Sequence, residues 1–164
     1  SLSFVISTST IYFGTLGTGG AKFASSTNTA GDATETIAHT LAVGTNAPSG
    51  FSLTVRGQTL TSQQNASNTI DAIGGTAASS TPTFEQFGFR ASESGGTAVT
   101  VSAPYSFATS YGYAATATSS SLLAVGTGAT PVSTLSLRYL TNVAAITEAG
   151  TYAANLVYVA TANF

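Results

Sequence analysis

Cysteine, methionine and tryptophan are missing from this 164-residue chain, and charge is nearly so: four Lys and Arg, six Asp and Glu, and a single His. Without cysteine there is no disulfide scaffold and no thiolate metal site. Four dispersed cations under a net charge of −2 cannot form the basic stripe that a nucleic-acid reader needs. No apolar run approaches the roughly 18–20 residues of a membrane-spanning helix. The long charged side chains that usually coat helices are scarce.

Ser and Thr stand in their place, making up close to a third of the residues. Threonine suits a pleated surface, because its β-branched side chain is already restricted at χ1. The hydrophobic fraction is an ordinary 43%. Disorder requires low hydrophobicity together with high net charge, and the chain has neither, so it reads as one folded domain over 1–164. It opens at Ser1 without Met. The expectation is a mature, secreted cell-surface chain whose signal peptide has been removed.

Apolar residues recur with a period of two. Leu2, Phe4 and Ile6 share a face, as do Ile37, His39, Leu41 and Val43; Phe51, Leu53 and Val55; Leu135, Leu137 and Tyr139; and Tyr152, Ala154, Leu156, Tyr158, Ala160 and Ala162. This is the pattern of half-buried strands. Further strands are expected at 11–16, 84–91, 98–103, 110–117 and 121–125. Glycine-rich punctuation at 17–20, 46–50, 74–75, 95–96 and 126–128 marks turns. About ten short strands at this spacing predict an all-β fold, a two-sheet antiparallel β-sandwich of jelly-roll or Ig-like type.

The chemistry of the chain is sparse. His39 lies on an apolar strand face and reads as a core histidine. No nucleophile elbow occurs, and Gly17-Thr18-Gly19-Gly20-Ala21-Lys22 lacks the ending of a phosphate loop. The six acids show no calcium-loop spacing, and Asp32 and Glu35 read as a solvated loop edge. Catalytic, metal and cofactor sites are therefore not expected, and neither is enzyme activity. Lys22, the one lysine, has no support as a cross-linking residue. Arg56, Arg90 and Arg138 fall in or at the ends of strands and are candidates for ion pairs, either between strands or between subunits. Asn65 heads the one N-glycosylation sequon, Asn65-Ala66-Ser67, in a polar loop. Tyr105, Phe107, Tyr111 and Tyr113 cluster in sequence; core packing explains them better than a sugar-binding platform.

The two ends read as full strands, and glycines follow the first. A terminal strand beyond such a connection can complete the sheet of another subunit, with Leu2, Phe4 and Ile6 filling pockets as a donor strand. Head-to-tail repetition gives an open filament. The runs Glu85-Gln86-Phe87-Gly88-Phe89-Arg90-Ala91 and Glu148-Ala149-Gly150-Thr151-Tyr152, the latter continuing to Phe164, resemble secreted prokaryotic surface β-sandwich fibre proteins, TasA/camelysin-like and archaeal donor-strand pilin-like. The resemblance implies that the N-terminal strand inserts into the next subunit, pointing again to Leu2, Phe4 and Ile6. The protease activity attributed to some camelysin relatives is not implied, since one histidine leaves zinc without ligands. The expected function is thus a homopolymeric filament or pilus subunit, with copies of itself as partners and glycans as a further possibility. A surface adhesin or carbohydrate-binding module, or a capsid or surface-layer jelly roll, is the alternative.

Overall fold

The computed structural model describes all 164 residues and consists of strands and loops without a helix. The strands are β1 (Leu2–Ile6), β2 (Lys22–Phe23), β3 (His39–Thr45), β4 (Phe51–Arg56), β5 (Thr61–Ser62), β6 (Gly74–Ala78) and β7 (Gln86–Ser94). They continue as β8 (Val99–Val101), β9 (Tyr111–Tyr113), β10 (Ser121–Gly126), β11 (Thr130–Asn142), β12 (Tyr152–Ala153) and β13 (Val157–Ala162). One sheet runs β1-β3-β11-β7-β9-β6, with β2 on the far end of β11. The other runs β13-β4-β10-β8, and β12-β5 forms a small ribbon. All strand pairings are antiparallel.

Alternation generates the core. Leu41 and Val43 of β3, Leu135, Leu137 and Tyr139 of β11, and Phe87 and Phe89 of β7 meet Phe51, Leu53 and Val55 of β4 and Leu123 of β10 in one buried cluster. Side chains between these positions face outward, as two stacked sheets with one buried face each require. Phe89 sits at the centre, stacked on Tyr105 with ring centroids 4.5 Å apart and tilted against Tyr139 at 5.0 Å. Gly50 shapes the turn from β3 to β4. Its φ is 79°, and a Cβ there would lie 2.0 Å from the carbonyl oxygen of Gly126, so only glycine lets the two turns pass.

Several expected boundaries move. Residues 11–16 form no strand; their main chain makes one bridge, Tyr12 to Ser25. Ile37 is exposed while Ala38 is buried, so the alternation in this segment begins at the start of β3 rather than at Thr36. The last stretch keeps its alternating face but divides into β12 and β13. Gly74-Gly75, read as a turn, opens β6.

Candidate assembly edge

The first strand is an edge strand. β1 pairs with β3 from Leu2↔Thr45 to Ile6↔Leu41 and has no neighbour on its other side. Its period of two turns Leu2 and Phe4 toward the core, where they pack against the cluster but remain partly accessible. Ile6, the third residue of that face, is 39% exposed. Val5 points away from the core and is 58% exposed. Both ends of the strand are clipped to the turn and strand beside them. The Ser1 carbonyl accepts hydrogen bonds from the Asn46 amide at 3.2 Å and from Thr45 Oγ1 at 3.1 Å. The Ser7 amide donates to the Thr40 carbonyl at 3.0 Å, and Ser7 Oγ accepts from the Thr40 amide at 2.9 Å.

Beyond Ser7 the chain runs to Ala21 with the Tyr12–Ser25 bridge as its one strand-like pairing. Ile11, Phe13 and Leu16 lean on the core edge from this run. No charged side chain occurs before Lys22. In the opposite sheet β13 is also an edge strand, paired with β4 alone. Between the run 8–18 and the segment 143–158 lies an open groove of about 1040 Å³, mostly apolar, with Ile11, Phe13, Leu156 and Tyr158 among its walls. Two unprotected edges, β1 and β13, therefore lie on one side of the sandwich, with few charges to deter pairing with another chain.

His39 lines that groove and is 6% exposed. Its Nε2 shares a 2.8 Å hydrogen bond with Tyr139 Oη, which in turn bonds Tyr158 Oη. Nδ1 is buried without a hydrogen-bond partner. Burial pushes the imidazole down to about 4, against a smaller upward push from the Thr40 main chain, because a low-dielectric surrounding disfavours the charged ring. Tyr139 and Tyr158 are held protonated well above the ordinary phenol range by the same burial. The trio is a neutral polar pin that joins β3, β11 and β13. Its members lie 100 and 19 positions apart, a spacing that no local pattern reveals.

The arginines divide. Arg90 and Arg138 are register partners on β7 and β11 and share one acid, Glu35. Arg90 Nε donates to Glu35 Oε2 at 2.8 Å with a second contact through Nη2, and Arg138 Nε lies 3.7 Å from Oε1. Tyr111 Oη also donates to Glu35. Partial burial pushes the Glu35 carboxyl up, but the Arg90 and Tyr111 hydrogen bonds and the two guanidinium charges outweigh it and leave it below its ordinary range. Burial, reinforced by Glu35, raises Tyr111 to about 12. Glu35 thereby pins the 24–38 loop across two strands, and the two arginines spend their charge within the subunit. Arg56 ends β4 exposed and makes no ion pair.

The remaining candidates are scattered. Asn65 is exposed in the turn after β5, its Oδ1 accepting the Ser67 amide at 3.1 Å. Lys22 Nζ donates to the Ala30 carbonyl at 3.2 Å. Tyr105, Tyr111 and Tyr113 are buried, and only Phe107 of that cluster is exposed. Asp32 accepts from Asn28 and Thr36 rather than facing Glu35. Fold and site together define an antiparallel β-sandwich with an open groove beside its edge strands, on whose wall Glu148 is the one carboxylate. Comparison with protein-family models, curated proteins and solved structures finds no match to this chain.

Proposed function

We propose that this protein is a structural subunit of an extracellular filament, polymerising by exchange of β1 between copies. The observation that carries this reading is the placement of β1. It is bonded along one side only, its inward side chains are half-buried, and a nearly unpaired run connects it to the rest of the sandwich. Another copy can supply the same five-residue register with β3, so exchange replaces each lost contact with an identical one, as in domain swapping. Reach permits the exchange. The fifteen residues 7–21 extend to about 50 Å, against about 43 Å for the whole thirteen-residue β11. Leu2, Phe4 and Ile6 are the donor residues in this assignment.

A sparsely charged, hydroxyl-rich surface fits a structural role outside the cell. Asn65, exposed in its turn, is the position where an N-glycan would attach. A monomeric glycan-binding module has weaker support, because three of the four clustered aromatics are interior. Electron microscopy of the purified chain, beside a variant lacking residues 1–10, tests the reading. Fibres from the full chain and soluble, less stable monomers from the truncated one are expected. Identical fibres from both would remove β1 as the donor.

A further inference from the structure

The outer face of the β13-β4-β10-β8 sheet differs from the rest of the surface. Register sets Val159 of β13, Thr54 of β4 and Leu122 of β10 in one row across it. Val157 and Arg56 form the next row, and Ser52 lies one row the other way, beside Thr161. Leu122, Val157 and Val159 are 43%, 46% and 46% exposed. Arg56 is the one charge on the three paired strands, and no acid accompanies it.

We infer that this face is a lateral contact between two copies of the chain belonging to neighbouring filaments, which rests on the filament reading. A charged partner finds no acid and a single corner cation to pair with. An identical face offers matching valines, leucine and hydroxyls at the roughly 10 Å spacing of stacked sheets. In an antiparallel face-to-face contact Arg56 lies over the partner's Ser52 end, so no like charges meet. Size decides the kind of contact. Three strands about 20 Å long and the three-residue β8 about 10 Å long, spaced about 4.8 Å apart, give roughly 340 Å² a side, or roughly 670 Å² for a pair. Stable specific interfaces need about 1,200–2,000 Å². One contact is too small to hold two free subunits together, but a row of them along two filaments acts multivalently.

The test compares filaments of the wild-type chain, Leu122→Lys, Leu122→Lys with Val159→Lys, and a control carrying the same added charge in exposed loops beside the other sheet, Ala33→Lys with Thr109→Lys. In micrographs the proportion of filaments running side by side should fall at least fivefold for the double face variant, and by less for the single one. Filament length and the control's bundling should stay unchanged. Bundling that persists in both face variants overturns the inference and leaves the filament reading intact. If the wild-type chain forms no filaments, the filament reading fails and this inference falls with it.

Discussion

Acidification should loosen the sandwich through one residue, His39. The unfolded ring binds a proton near its ordinary 6.5, while the buried ring holds out to about 4. Between those values the unfolded state carries more protons, so stability is full above pH 6.5 and falls as the pH drops toward 4. The difference amounts to about 2 kcal/mol on going from pH 7 to pH 5, and about 3 kcal/mol by pH 4. There is no other histidine or cysteine to titrate beside it, and the Arg90 and Tyr111 hydrogen bonds and the guanidinium charges hold the Glu35 carboxyl below its ordinary range. Urea unfolding at pH 7.0, 6.0 and 5.0 measures the loss directly. His39→Gln, which keeps a polar group beside Tyr139 without titrating, should have a flat profile over the same range at some cost in absolute stability. Parallel profiles for wild type and His39→Gln, or an imidazole that titrates near 6.5 by NMR in the folded protein, would refute the burial argument.

Glu35→Gln should destabilise the fold by about 1–2 kcal/mol, between the worth of an exposed pair and a buried one, by leaving Arg90 and Arg138 without their shared acid. The same change should lower the Tyr111 phenol below about 12, read by its ultraviolet titration, though burial keeps it above the ordinary value. Phe89→Ala empties the centre of the aromatic stack and should cost about 3–5 kcal/mol in urea unfolding, with cooperativity retained.

The period of two was enough to read the sandwich, because each strand buries one face and so writes its own alternation. It located the inward sets of β1, β3, β4, β11 and β13. It failed where a different force governs the chain. Ile11, Phe13 and Leu16 do lean on the core, but their main chain makes a single bridge, Tyr12 to Ser25, so the alternating run stays irregular. Gly74 and Gly75 carry turn chemistry, yet β6 forms because β9 offers an edge there. The polar clusters were the least legible. Residue type and strand position nominated Arg90 and Arg138, but their acid lies 55 positions before Arg90 in a loop read as solvated. The strand face of His39 marks it as a core histidine, whereas its tyrosine partners depend on sheet order, which a local pattern does not contain. The edge position of β1 likewise follows from topology. Only its apolar face and the glycines behind it are written in the sequence.

A chain without cysteine permits a direct test of strand exchange. Val5 and Ala42 are register partners on β1 and β3, and neither side chain is buried. Filaments assembled from the Val5→Cys, Ala42→Cys double variant can be oxidised, dissolved in detergent and run without reductant. If β1 is supplied by the next copy, the cross-links join different chains, and a ladder of covalent multimers results. If the filaments yield only internally bridged monomers, each β1 has stayed on its own β3, and assembly by strand exchange is contradicted.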